Sequence, residues 1–64
     1  MNFAQLRAFH AVASEGGFTR GALRLGISQP AVTVQVRALE ERHGVLLFRR
    51  LGQRIELTEF GREV

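Results

Sequence analysis

The stretch Gly26-Ile27-Ser28-Gln29-Pro30 constrains the fold of this chain more than any other, because it ends one helical pattern and starts the next within three residues. Glycine closes a helix because it enters the left-handed conformation without steric cost. Ser28 is a preferred N-cap, and Pro30 then falls in the first helical turn, where a missing amide donor has no intrahelical partner to lose. Ile27 and Val32 occupy the two positions of a hydrophobic staple. Two helices joined by so tight a turn, the second longer than the first, form a helix-turn-helix unit.

Val32, Val34 and Val36 alternate as in a strand, which competes with the helical reading. At about 100° per residue, however, Val32, Val36, Leu39 and His43 fall within ~60° of one another and form an inward stripe. Pro30, Thr33, Val34, Arg37 and Glu41 cluster on the opposite side. A helix running to Gly44 explains the cap, the length and the two faces, whereas a strand places Pro30 and the charged residues awkwardly. Val34 is left over, a β-branched apolar side chain pointing away from the core. A scattered exposed valine needs no function.

The same signals organise the flanks. Asn2 and Gln5 have capping-box spacing, Met1 and Leu6 staple spacing, and Phe3, Leu6, Phe9 and Ala13 predict an inward stripe on a helix over residues 3–14 stopped by Gly16-Gly17. Thr19 is the expected cap of a second helix, with Phe18 stapled to Leu23. After Gly44, Val45-Leu46-Leu47-Phe48 can cover the open end of a three-helix core. Phe48-Arg49-Arg50 and Arg54-Ile55-Glu56-Leu57 then flank Leu51-Gly52-Gln53, and Gly52 permits the turn of a short hairpin. Thr58 caps a further helix from Glu59 to Val64, too short to be stable alone, so the natural chain is expected to continue.

Sixty-four residues make one domain at most, and a chain of this size buries only roughly 60% of the surface its unfolded form exposes, which disfavours a deep substrate cleft. The chain has no cysteine, so disulfides and thiolate metal sites are excluded. No apolar run approaches the ~20 residues of a membrane span, and no signal pattern opens the sequence; a reducing cytoplasm fits. His10 and His43 lie on different helices, there is no aspartate, and Gly16-Gly17 lacks the lysine and spacing of a phosphate loop. No catalytic constellation is present, and a non-enzymatic role is expected.

Charge placement points elsewhere. All nine basic residues are arginines, and seven of them lie between residues 18 and 54 against only Glu40 and Glu41. Such a face suits a polyanion, nucleic acid before membrane. The amino end of the third helix offers Ser28, Gln29, Thr33 and Gln35 as donors and acceptors for base edges in a major groove, and Pro30 and Val34 as apolar surface that a thymine methyl complements. Arg49, Arg50 and Arg54 on the hairpin suit phosphates or a narrow minor groove, and Arg20 and Arg24 the backbone. Ordinary surface ion pairs with Glu40, Glu41 or Glu56 are the plain alternative for these arginines, and the preferred one for Arg42.

These residues closely resemble the amino-terminal winged helix-turn-helix of LysR-type bacterial transcriptional regulators. The likeness runs through Phe18-Thr19-Arg20-Gly21-Ala22, Ile27-Ser28-Gln29-Pro30-Ala31-Val32-Thr33, Arg37-Ala38-Leu39-Glu40, Leu47-Phe48-Arg49-Arg50 and Leu57-Thr58-Glu59-Phe60-Gly61, essentially the whole chain. It implies a mainly α fold: a three-helix core with a short β-hairpin wing over residues 1–57, and the start of a dimerising linker helix at 58–64. With the reading of the residues above, it points to sequence-specific binding of double-stranded DNA by Thr19, Arg20, Ser28, Gln29, Pro30, Thr33, Val34, Gln35, Arg37, Arg49, Arg50, Gln53 and Arg54. By the same resemblance this fragment needs no cofactor, the effector-binding domain for a small molecule lies outside it, and the full-length parent is a homodimer or homotetramer. Two departures stand out: Gly21 replaces the family's usual alanine, and Thr33-Val34 stands where Ser-Arg is common. The competing expectation is a protein-interaction winged helix, which need not bind nonspecific DNA at low salt.

Overall fold

Local capping sets the helix boundaries. The computed structural model describes residues 2–51 and 54–63. In chain order its elements are α1 (Phe3–Glu15), α2 (Phe18–Leu25), α3 (Gln29–His43), β1 (Phe48–Leu51), β2 (Arg54–Leu57) and α4 (Glu59–Glu63). Ser28 Oγ accepts from the Ala31 N–H at 3.2 Å, with Pro30 in the first turn of α3 as expected. Gly26 ends α2 at φ +70°, a conformation costly for a residue with a Cβ. Gly16 and Gly44 are the C-caps of α1 and α3. At α1, Asn2 Oδ1 accepts from the Gln5 N–H at 2.8 Å, but the return bond of the capping box is missing. Gln5 Oε1 is instead enclosed without a hydrogen-bond partner among the described residues. The Met1–Leu6 staple falls on Met1, outside the described residues.

Two other boundary expectations are corrected. The cap of α2 is Gly17, in extended conformation and without a side-chain bond, so Thr19 lies inside the first turn and is exposed. Phe18 causes the early start: it packs edge-on to Phe48, ring centroids 5.7 Å apart, which draws it into the core as the first helical residue. Leu23, its expected staple partner, is 77% exposed. Leu51 belongs to β1 rather than to the turn, because the antiparallel register pairs Phe48 with Leu57, Arg49 with Glu56, Arg50 with Ile55 and Leu51 with Arg54. Gly52 and Gln53 lie outside the described residues.

The core joins Phe9 and Val12 of α1, Ala22 of α2, Val32, Val36 and Leu39 of α3, and Leu47 and Phe48. The α3 stripe is therefore as the helical angles predict, except that His43 is exposed. His43, at the end of α3, lies past the edge of the core, its ring 6.2 Å from that of Phe60 of α4. The α1 stripe is rotated from its expected position. Phe3 is 75% exposed, with the Arg7 guanidinium 5.9 Å from its ring, while Ala8, Phe9, Ala11 and Val12 are buried. α1 packs on both α2 and α3, so its buried face is wider than a single 3–4 stripe. Of the run after Gly44, Leu47 and Phe48 close the core and Leu46 points outward.

Close approach also explains Gly21. A Cβ there would lie 3.0 Å from both Val12 Cγ2 and Val12 N, so α1 and α2 touch where the missing methyl leaves room. Alanine gains up to ~1 kcal/mol of helix propensity, yet overpacking against backbone costs about 1–3 kcal/mol. Gly21→Ala is expected to lower stability by about 1 kcal/mol, read as a reduced midpoint in thermal denaturation; a raised midpoint would show that the helices separate freely.

Candidate nucleic-acid interface

With Val32, Val36 and Leu39 committed to the core, the other side of α3 has to face outward. Gln29, Pro30, Val34 and Arg37 are exposed on it, and Thr33 is half-buried. The Gln29 amide is already oriented: Nε2 donates to Thr33 Oγ1 at 3.1 Å, and that hydroxyl donates to the Gln29 carbonyl oxygen at 3.1 Å. The second amide hydrogen and Oε1 of Gln29 are left for an external partner. Ser28 is exposed, its hydroxyl engaged in the cap.

Beside this face runs a groove between α3 and β1, lined by Thr33, Arg37, Glu40, Phe48 and Arg49, with Phe18 at its α2 end. Thr19 and Arg20 follow Phe18 in the first turn of α2, both exposed. Arg49 is exposed on β1, opposite Glu56 in the register. Arg20, Arg37 and Arg49 have no ion-pair partner among the described residues. The structure thus brings Gln29, Pro30, Thr33, Val34 and Arg37 together on the outward side of α3, with Arg49 across the groove. For Arg50 and Arg54 it describes the strand backbone only, and Gln53 is outside it.

Two expected contributors are set apart. Gln35 is half-buried on the far flank of α3, beside Ala4, Arg7, Leu25 and Ile27. Arg24 turns to α1, where its Nη1 lies 2.9 Å from Ser14 Oγ and 3.3 Å from Glu15 Oε2. It is a surface ion pair of the plain kind, with a partner the sequence reading had not considered. Arg42 is exposed and has no ion-pair partner among the described residues.

Sequence reasoning missed the residue that sets the groove's width. Glu40 was expected at most as a surface partner for arginine. Its Oε2 instead accepts from the Leu47 N–H at 2.8 Å and the Phe48 N–H at 3.4 Å, tying the first residue of β1 to α3. Charge-assisted bonds of this kind are stronger than neutral ones. The only hint in the sequence is an acidic residue beside the inward Leu39 in a basic region.

Comparison with known proteins agrees with this geometry. The family described as bacterial regulatory helix-turn-helix protein, lysR family, matches residues 3–62. A RuBisCO operon transcriptional regulator of Allochromatium vinosum is 53% identical over 64 residues, all of this chain and 21% of that protein. The HTH-type transcriptional regulator BudR of Klebsiella aerogenes is 54% identical over 61 residues, 95% of this chain and 43% of that protein. The chain thus spans less than half of either relative. Among solved structures, a complex of the CbnR DNA-binding domain with DNA superposes with a TM-score of 0.93 at 46% identity, covering 98% of this chain and 72% of that one. The BenM DNA-binding domain in complex with catB site 1 DNA gives 0.93 at 36% identity, covering 98% and 70%. An exposed α3 face, a basic groove beside a hairpin, and a match over nearly every residue lead to one conclusion: the chain belongs to the LysR family of bacterial regulatory helix-turn-helix proteins.

Proposed function

We propose that this chain binds double-stranded DNA sequence-specifically as the DNA-binding part of a transcriptional regulator. The observation that carries this reading is the outward face of α3, which offers Gln29, Pro30, Val34 and Arg37 beside Arg49, an arginine with no ion-pair partner among the described residues. An α-helix fits the major groove, where base edges carry distinct donor and acceptor patterns. Gln29, held by Thr33, can present an oxygen acceptor and an N–H donor to an adenine edge. Arg37 and Arg49 flank the groove beside α3 and suit phosphates, as do Thr19 and Arg20 next to the uncapped first turn of α2. Arg50, Gln53 and Arg54 extend the wing's contribution to the backbone or minor groove. Ser28 and Gln35 act at the margins of the recognition helix.

By the same reading the parent regulator works in the cytoplasm as a homodimer or homotetramer on a two-fold site, as protein symmetry mirrored in half-sites requires, and answers to a small effector through a further domain. CbnR and BenM, whose DNA-binding domains were solved with DNA, support the choice of partner.

The test is selection of binding sites from random duplexes, followed by titration of two variants over a range of salt. Arg49→Ala is expected to weaken binding to all sequences and reduce the slope of log K against log salt by about 0.9, one phosphate contact. Gln29→Ala is expected to cost about 1–3 kcal/mol, confined to one base pair. Uniform losses from both variants would refute this division of roles. No enrichment, with weak binding even at low salt, would turn the face of α3 over to a protein partner.

A further inference from the structure

The outward side of α3 carries two rows spaced by one helical turn. Gln29, Thr33 and Arg37 form a polar row; Pro30 and Val34 form an apolar one. Val34 is 63% exposed and belongs neither to the core cluster nor to the side chains packed against it. It has no donor or acceptor. Branching at Cβ also holds it in one χ1 rotamer within a helix, so its two methyl groups are presented in a fixed position at no further entropic cost. A base edge in the major groove presents donors, acceptors and one apolar feature, the methyl group at C5 of a pyrimidine.

We propose that Val34, with Pro30 one turn before it, reads the C5-methyl group of a pyrimidine in the major groove. Thymine and 5-methylcytosine both carry that group. The inference rests on the DNA-binding reading above and adds to it a specific chemical feature of the site. The apolar row recognises by contact and exclusion of water, beside a polar row that recognises by hydrogen bonds. A position read in this way discriminates thymine from uracil, which a hydrogen-bonding side chain does not, since the two bases share every donor and acceptor.

The experiment uses the 64-residue chain and duplexes selected from a random pool, with each thymine of the selected half-site replaced in turn by deoxyuridine. Burying one methyl group in this contact is expected to make one such replacement weaken binding about four-fold. In Val34→Ala that ratio is expected to fall to about one; the site is exposed and alanine is the better helix former, so the variant folds. A second arm places cytosine and then 5-methylcytosine at the sensitive position. Tighter binding of the methylated duplex shows that the methyl is read whichever base carries it, and an effect at thymine alone assigns thymine as its source. If no thymine gives more than about a 1.5-fold loss, or if the ratio persists in Val34→Ala, the inference is overturned while DNA binding stands. Failure to bind any duplex would remove the DNA-binding reading and this inference together.

Discussion

Glu40→Ala is expected to lower stability by about 2–3 kcal/mol, because two backbone N–H groups at the start of the wing lose a charged acceptor in a half-buried site. For a chain of this size that corresponds to a fall of roughly 10–20 °C in the thermal midpoint. The effect on DNA affinity separates two contributions of opposite sign. Removing a negative charge from between Arg37 and Arg49 would by itself strengthen binding to a polyanion. Releasing β1 from α3 would weaken it by misplacing Arg49. The clamp is expected to dominate, so the alanine variant binds DNA less tightly than the original chain under conditions where both are folded. Glu40→Gln keeps an oxygen acceptor without the charge and is expected to lose less than half as much stability while retaining affinity at low salt. Denaturation curves and titrations of both variants check this. An alanine variant of unchanged stability would show that the clamp contributes nothing.

Gly61→Ala is expected to cost about 2–3 kcal/mol, at the top of the overpacking range. A Cβ at this position would run into the Leu47 carbonyl oxygen and lie 3.1 Å from Leu57 Cδ2. That carbonyl is fixed from the other side, because it accepts from the Thr58 N–H at 3.0 Å. Thr58 Oγ1 adds a donated bond to the Leu46 carbonyl at 2.6 Å and accepts from the Gly61 N–H at 3.1 Å. The first turn of α4 is thus stitched to the segment that leads into the wing, and only a residue without a side chain can sit at the seam. Faster hydrogen exchange at the amides of residue 61 and Arg62, with the amides of Val12 and Leu39 still protected, is the expected signature. Unchanged exchange in α4 would mean that the seam adjusts without loss.

Much of this was legible in the sequence because capping is local. Ser28, Thr58 and the glycines after α1, α2 and α3 act within three or four residues of themselves, so spacing alone places them. The inward stripe of α3 was legible for a related reason: Val32, Val36 and Leu39 face a core on one side only. Reasoning failed where a partner from elsewhere decides. Phe18 moved the start of α2 forward because Phe48, thirty residues later, draws it inward. Phe3 was lost from the α1 stripe because α1 packs against both α2 and α3, which centres its buried face on Ala8, Phe9, Ala11 and Val12. Glu40 was invisible because its partners are amides of a different element, reached only once the chain has turned at Gly44. For the candidate site, the exposed members of α3 followed from periodicity, whereas the separation of Arg24 and Gln35 from them depends on how α1 lies.

The direct measurement is to follow backbone amide resonances of the isotope-labelled chain while a selected duplex is added. Amides of residues 28, 29, 31–37, 18–20 and 48–50 are expected to shift in concert and saturate together, placing α3, the first turn of α2 and β1 on the DNA. Shifts confined to α1 and α4, with the outward face of α3 silent, would mean that the chain meets its partner through another surface.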